Sequence, residues 1–99
     1  MGAHYYDRID THFDPATYAE VRGRLMARLA ANPPRELGGS PVVKTRTDDG
    51  FKYYLPDGSW VLVRFSGTEP LMRTYTETDS PERVKRLLQA GLALAGLEA

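Results

Sequence analysis

The sequence predicts an α+β fold in two layers, a four-stranded antiparallel sheet with two helices packed on one face. Three observations lead to this fold class. Two segments carry apolar residues at helical spacing behind residues that cap helices, and four segments between them are rich in aromatic and β-branched residues. Gly, Asp and Pro stand where consecutive strands must turn. Two amphipathic helices and one sheet bury their apolar faces by packing against each other, which gives the two layers.

The composition is typical of one small folded domain, and we predict that this domain spans all 99 residues. Thirteen basic residues balance thirteen acidic ones, which argues against a nucleic-acid-binding module because such modules carry a basic excess. The absence of cysteine excludes disulfides and thiolate metal sites and fits a cytoplasmic protein. No apolar run in the sequence is long enough to cross a membrane.

Residues 1–12 mix aromatic and charged side chains without a clear period, and we expect a short extended segment, a linker or a tail. The first helix is predicted to begin with Asp14 as the N-cap and Pro15 at the first helical position. Phe13 can then pack on Tyr18 as a hydrophobic staple. The apolar stripe of this helix is Tyr18, Val21, Leu25 and Leu29. A pair of prolines ends it.

Four strands are predicted between the helices. Residues 42–47 form the first strand, and residues 51–55 form the second, in which apolar and polar side chains alternate. Asp48-Asp49-Gly50 forms the hairpin turn between them. Residues 60–65 are almost wholly apolar, which predicts a central place in the sheet. The fourth strand covers residues 71–78.

The second helix is predicted to begin at Ser80 and Pro81, which repeat the pattern of a capping residue followed by proline. Its apolar stripe is Val84, Leu87, Leu88 and Leu92. The cations Arg83, Lys85 and Arg86 lie on its other faces, and we expect them to be solvated.

The loop between the third and fourth strands has the composition of an anion site. Ser66 and Thr68 supply O–H donors, and Gly67 lets backbone N–H groups approach a ligand. Arg64 and Arg73 stand at the two edges, where each can offer a planar fork of donors. The residues alone leave a second interpretation open, a hairpin whose hydroxyls bond to their own backbone and whose arginines are solvated.

No catalytic residue and no metal ligand is assigned in this sequence. Ser66 has no histidine base nearby in the sequence, so we interpret it as a hydrogen-bond donor and not as a nucleophile. Glu69 is expected to stabilise the loop, because a carboxylate acting as a base beside an anion site would repel the ligand. His4 and His12, with two aspartates between them, are interpreted as a chance polar segment and not as a metal site.

Many residues between Asp49 and Glu77 follow one specific order and spacing. They are Asp49-Gly50-Phe51-Lys52, Pro56-Asp57-Gly58-Ser59-Trp60-Val61-Leu62-Val63-Arg64, Ser66-Gly67-Thr68-Glu69-Pro70, Arg73, Tyr75 and Glu77. This segment resembles the C-terminal, fourth domain of the α-D-phosphohexomutases, a family that includes phosphoglucomutase, phosphomannomutase and phosphoglucosamine mutase. The resemblance extends from about Tyr6 to the last helix, and it implies a fold like that of the TATA-box-binding protein.

The resemblance also implies a reaction, the movement of a phosphoryl group between two positions of one hexose. Family members use a phosphoserine in the first domain, Mg²⁺ bound by the second and a sugar-recognition loop in the third. Their fourth domain grips the phosphate that is not transferred. Carried over to this sequence, the grip falls on these residues: Arg64, Ser66, Gly67, Thr68 and Arg73.

On this interpretation the chain is a fragment of a larger cytoplasmic isomerase and is inactive alone. Its partners are a hexose phosphate and the other domains of the parent chain, and it holds no cofactor of its own. Neither nucleic acid nor a membrane is expected as a partner. Two alternatives remain at this point: a stand-alone module that binds a phosphorylated or acidic ligand, and a purely structural domain.

Overall fold

The computed structural model describes residues 4–48 and 50–96. In this part of the chain two helices and seven strands follow one another. The elements, in chain order, are β1 (Tyr5–His12), α1 (Tyr18–Ala31), β2 (Glu36–Leu37), β3 (Ser40–Pro41), β4 (Lys44–Arg46), β5 (Phe51–Tyr54), β6 (Trp60–Phe65), β7 (Leu71–Thr78) and α2 (Pro81–Leu94). The main sheet is antiparallel, with the strand order β1-β7-β6-β5-β4.

The predicted fold class is confirmed, but the main sheet has five strands where the sequence predicted four. The additional strand is β1, in the segment expected to be extended, a linker or a tail. It pairs with β7 along its whole length, from Tyr5 opposite Thr78 to His12 opposite Leu71. Most of its side chains are exposed or half-buried, so backbone pairing holds this edge strand more than burial does.

One face of the sheet and the apolar stripes of both helices form a single core. Its most deeply buried members include Leu29, Tyr53, Leu55, Val61, Val63, Met72 and Leu87. Gly91 allows α2 to lie directly on the sheet, because a Cβ atom there would stand 2.7 Å from Cγ2 of Thr74. As predicted from its apolar sequence, β6 lies at the centre of the sheet.

The first helix begins later than the sequence predicts. It starts at Tyr18, because the carboxylate of Asp14 accepts a hydrogen bond from the Ala16 amide (2.9 Å) and forms a turn before the helix. The Thr17 amide donates to the carbonyl oxygen of Asp14 (3.1 Å) and closes that turn. The staple is confirmed, since the rings of Phe13 and Tyr18 stack with their centroids 5.8 Å apart.

The second helix begins as predicted, but one of its cations is not solvated. The hydroxyl oxygen of Ser80 accepts a hydrogen bond from the Arg83 amide (3.2 Å) and caps α2. The prediction of a solvated Arg83 side chain is wrong. Its guanidinium is ion-paired with Asp57 and Asp79 and donates to the hydroxyl of Ser40 (2.9 Å).

The connection from α1 to the sheet contains more structure than the predicted loop. β2 and β3 form a small hairpin of their own, and the predicted strand over 42–47 shortens to β4. The predicted turn before β5 includes Asp49, which lies outside the described residues, while Gly50 adopts a φ of +88° that favours glycine. Neither described helix combines the length and apolar character that a membrane crossing needs.

Candidate functional site

The sheet register places the two site arginines directly opposite each other. Arg64 on β6 and Arg73 on β7 are cross-strand partners, and both point away from the helices because their neighbours Val63 and Thr74 are buried in the core. Like charges in directly opposed positions repel, so this pair is unfavourable unless negative charge is present nearby. The two guanidinium groups therefore concentrate positive charge beside the loop in a chain whose net charge is zero.

Asp10 on the edge strand β1 places a negative charge beside Arg73. Its Oδ1 atom lies 3.8 Å from Nε of Arg73, which makes an ion pair that is too long to be a hydrogen bond. Within the part of the chain that the structure describes, the buried Nε of Arg73 has no hydrogen-bond partner. This N–H is therefore a buried donor that is left unsatisfied, and it is not exposed to a ligand.

The hydroxyl of Ser66 organises the loop between β6 and β7. Its oxygen accepts hydrogen bonds from the amides of Thr68 (3.3 Å) and Glu69 (3.1 Å), and the Ser66 amide donates to the carbonyl of Leu71 (3.0 Å). A hydroxyl has one donor and two acceptor positions, so these bonds use the acceptors and leave the O–H of Ser66 able to donate. The second interpretation, in which hydroxyls bond to their own backbone, therefore accounts for two of the three hydrogen-bonding positions of the Ser66 hydroxyl.

Gly67 stands at the tip of the loop for a reason other than backbone strain. Its φ is not positive, and no heavy atom beyond its chain neighbours lies within 4 Å of the place that a Cβ would occupy. Neither conformation nor packing inside this chain therefore requires glycine. The absence of a side chain leaves open space over the backbone, as close approach by a ligand would need.

The five residues predicted as the site lie around one concavity of about 310 Å³. Its lining consists of Arg64, Phe65, Ser66, Gly67, Thr68 and Arg73. Glu69 acts on the loop through its backbone, since its amide donates to Ser66 and its carbonyl accepts from the Leu71 amide (2.8 Å). Among residues 4–48 and 50–96 no hydrogen bond or ion pair of the Glu69 carboxylate is seen, so a stabilising role for that group stays a prediction.

The sequence analysis did not predict that the hydroxyl of Tyr18 bonds to the loop. This hydroxyl donates to the carbonyl of Ser66 (2.5 Å) and lies 3.1 Å from the carbonyl of Leu71. The Phe13 amide adds a bond to the carbonyl of Pro70 (2.8 Å). The sequence did contain one signal for this role. The staple residue at position 18 is tyrosine, whereas a staple that only packs against Phe13 would need no hydroxyl.

Aromatic side chains cover the open face of the sheet beyond the two arginines. Trp60 donates through Nε1 to the carboxylate of Glu77 (3.3 Å), and Nζ of Lys52 lies 4.4 Å from the centre of a Trp60 ring. Tyr6 lies at 6.1 Å from Trp60 and 6.3 Å from Tyr75, measured between ring centroids. These side chains pack on one another at one end of the face, and Arg64 and Arg73 lie at the other end.

The acidic and histidine side chains of the described residues do not assemble into a metal site. Over the described ranges, no group of three or more His, Cys, Asp or Glu residues is placed to hold a metal ion. The family resemblance places Mg²⁺ in another domain of the parent enzyme, and that placement stays a prediction.

Comparison with known proteins shows the family to which this fold belongs. The family model described as "Phosphoglucomutase/phosphomannomutase, C-terminal domain" matches residues 14–93, and the chain belongs to this family. It is similar to a phosphoglucomutase/phosphomannomutase of Thermococcus kodakarensis, with 36% identity over 88 residues that cover 89% of this chain and 19% of that protein.

Two further relatives differ from the first in the sugar that their names contain. A phosphopentomutase of Thermococcus kodakarensis is 36% identical over 70 residues, which cover 71% of this chain and 15% of that protein. A probable phosphoglucosamine mutase of Methanothermobacter thermautotrophicus is 39% identical over 66 residues, 67% of this chain and 14% of that protein. The chain thus spans less than a fifth of the length of these relatives.

Proposed function

We propose that this chain binds the phosphate group of a hexose phosphate, as the C-terminal domain of a phosphohexomutase. The parent enzyme interconverts hexose 1-phosphate and hexose 6-phosphate. The observation that carries this proposal is the opposition of Arg64 and Arg73 across two strands, beside a loop that contains glycine. Two opposed guanidinium groups are stabilised by a doubly charged anion between them, and phosphate has that charge.

Each residue of the loop has a separate task in this proposal. Arg64 and Arg73 offer charged forks to the phosphate oxygens. Ser66 donates through the O–H that its loop bonds leave available. Thr68 adds a second O–H, and Gly67 lets the ligand approach the backbone.

The relatives support the phosphate as the recognised group. Their names contain glucose, mannose, pentose and glucosamine, and every one contains a sugar phosphate. A domain shared among enzymes that act on different sugars is best suited to binding the group that their substrates have in common, which is the phosphate. We therefore assign the choice of sugar to other parts of the parent chain.

The chemistry itself is proposed to take place on the other domains. No residue of this chain is assigned as nucleophile, and the described residues contain no metal group, so the Mg²⁺ of the parent enzyme would be bound elsewhere. When bound there, the ion would neutralise charge on the phosphoryl group. Phosphoryl transfer depends strongly on positioning, and a domain that holds the idle phosphate aligns the other end of the sugar. The isolated chain is expected to be inactive, and we place the parent in the cytoplasm.

An NMR titration of this chain with inorganic phosphate and with glucose 1-phosphate tests the site. The amides of Ser66, Gly67 and Thr68 should shift, with weak affinity because one anion grip buries little surface. Arg64→Ala should remove most of the response. Arg24→Ala, which deletes an exposed cation on α1, is the matched control and should leave it unchanged. Shifts confined to other parts of the chain, or equal losses in both variants, would contradict the assignment.

Gly67→Val separates ligand approach from folding. Because a Cβ at this position meets no atom within 4 Å and φ is not positive, the melting temperature should stay within about 2 °C, as for other neutral surface changes. Phosphate binding should weaken, because the new side chain occupies space beside the donors. A variant that binds phosphate as tightly as the wild type would show that the ligand does not approach this backbone.

In the intact parent enzyme, Arg64→Ala should damage catalysis more than stability. Hydrogen bonds to charged groups contribute about 1.5–3 kcal/mol, which corresponds to roughly a tenfold to hundredfold loss in kcat/KM. Arg64→Lys should restore part of the activity, because it keeps the charge and loses the fork. A kcat/KM within about twofold of the wild type for Arg64→Ala would indicate a surface charge without a role in binding.

A further inference from the structure

The base of the loop is attached to the segment that precedes and opens α1. The Tyr18 hydroxyl lies 2.5 Å from the carbonyl oxygen of Ser66 and 3.1 Å from that of Leu71. The amide of Phe13 donates to the carbonyl of Pro70 at 2.8 Å. Three carbonyl groups at the two ends of a short loop are thus bonded to residues about 50 positions earlier in the chain.

The Tyr18 hydroxyl is a donor at neutral pH. Burial disfavours the phenolate and raises the pKa of Tyr18, and the nearby charge of Arg22 offsets this only in part. A phenol has one proton, so the short bond to Ser66 is the principal one and the contact with Leu71 shares it. Both acceptors belong to the residue pair that closes the loop, because the Ser66 amide donates to the Leu71 carbonyl (3.0 Å).

The backbone position of Ser66 also determines where its hydroxyl can lie. The Ser66 hydroxyl accepts hydrogen bonds from the amides of Thr68 and Glu69. The conformation of the whole loop therefore depends on the position of Ser66. The donors proposed for phosphate are therefore arranged through one residue whose carbonyl Tyr18 holds.

We propose that Tyr18 is a positioning residue for the phosphate site, whose hydroxyl holds the Ser66–Leu71 closure and thereby the donors of the loop. This inference rests on the proposed function for its effect on binding. The part of the side chain that matters is the hydroxyl and not the ring, because the ring is independently packed against Phe13 at 5.8 Å. Tyr18→Phe removes the hydroxyl and keeps that packing.

The first test needs no ligand. Amide hydrogen exchange in Tyr18→Phe should be faster at Ser66 than in the wild type, by about threefold to tenfold, as expected for the loss of one ordinary hydrogen bond. Amides in the centre of β6, such as Val61, should exchange as in the wild type. Unchanged exchange at Ser66 would overturn the inference, whether or not the chain binds phosphate.

The second test measures the Kd for inorganic phosphate in two reciprocal variants. Tyr18→Phe should raise Kd about threefold to tenfold, because looser donors bind an anion less well. Val21→Ala removes a side chain of the same helix that packs against the core, keeps the Tyr18 hydroxyl and should lower the melting temperature while Kd stays within twofold. A merely structural role for Tyr18 predicts a lower melting temperature with unchanged Kd, and that result would overturn the inference.

The two tests separate this inference from the proposed function. A wild-type chain that does not bind phosphate at the loop contradicts the proposed function, while exchange at Ser66 still decides whether Tyr18 holds the loop. A wild type that binds phosphate, with Tyr18→Phe binding equally well and exchanging at the same rate, leaves the proposed function intact and contradicts the positioning role.

Discussion

Replacing Arg83 by alanine should destabilise the fold more than the sequence position suggests. The guanidinium at the start of α2 is ion-paired with Asp57 in the turn before β6 and with Asp79, and it donates to the hydroxyls of Ser40 (2.9 Å) and Ser59 (3.4 Å). One side chain thus connects a helix start, a sheet turn and the small β2–β3 hairpin. The change removes all of these bonds together.

The size of the loss follows from the exposure of the partners. The Arg83 side chain is 17% exposed and that of Asp57 41%, so their bond should contribute near the lower end of the range for charged hydrogen bonds, about 1.5 kcal/mol. Asp79 is 65% exposed, and this pair adds less than about 1 kcal/mol. Alanine regains a few tenths of a kcal/mol in helix propensity, so we expect a net loss of about 2 kcal/mol. That loss lowers the melting temperature by about 8–16 °C in a domain of this size.

Thermal and urea unfolding of Arg83→Ala and Lys85→Ala provide the measurement. Lys85 is an exposed cation on the same helix, and its removal should change stability by no more than about 0.5 kcal/mol.

Burial opposes the ionisation of Asp57, but the bonds from Arg83 and the Ser59 amide lower its pKa. A lowered pKa stabilises the fold above the unfolded value, near about 4, and this gain is lost as pH falls below it. The difference between wild type and Arg83→Ala should therefore shrink in acid. Equal melting temperatures for Arg83→Ala and Lys85→Ala would refute the reasoning.

Two further predictions concern the core. Burial raises the pKa of the Tyr53 hydroxyl to about 12, so the folded state keeps a proton that the unfolded chain loses near pH 10, and stability falls between these values. At pH 11 the wild type should lose about 1.4 kcal/mol that Tyr53→Phe retains, as urea melts at pH 7 and 11 will measure. Gly91→Ala should cost about 1–3 kcal/mol by crowding Thr74. Gly23→Ala, in open space on the other helix, should gain about 0.5–1 kcal/mol, and the opposite order of melting temperatures would contradict the packing of α2 on the sheet.

The elements that the sequence predicted well are those with local signals. Strand β6 was identified by an apolar run, and its side chains at Val61 and Val63 are fully buried. The cap of α2 depends on Ser80 and an amide three residues later, which a short window contains. The five residues of the predicted site lie around one concavity because a tight turn brings its own ends together, and phosphate binding by them stays a prediction.

The elements that it missed depend on partners far along the chain. The edge strand β1 exposes most of its side chains, so little apolar period marks it. Its pairing with β7 joins residues that are 59 positions apart at His12–Leu71 and 73 positions apart at Tyr5–Thr78. Arg83 bonds to Asp57, which is 26 positions away in the sequence, and Tyr18 bonds to Ser66, which is 48 positions away. A polar side chain with a distant partner has the same local pattern as a solvated one, and for this reason the sequence could not distinguish Arg83 from Lys85.

The proposed phosphate loop and the Arg83 cluster lie at opposite ends of one strand. Ser59 immediately precedes β6 and Ser66 immediately follows it, and six residues of strand separate them by about 20 Å. Effects at such distances are usually additive when no partner is shared. A loss of stability at Arg83 should therefore leave the phosphate Kd of the folded chain unchanged, and the loss of Arg64 should leave the network at the start of α2 intact. Melting curves and binding isotherms consequently report on different ends of the sheet, and a phosphate Kd that changed in Arg83→Ala would mean that the core couples the two.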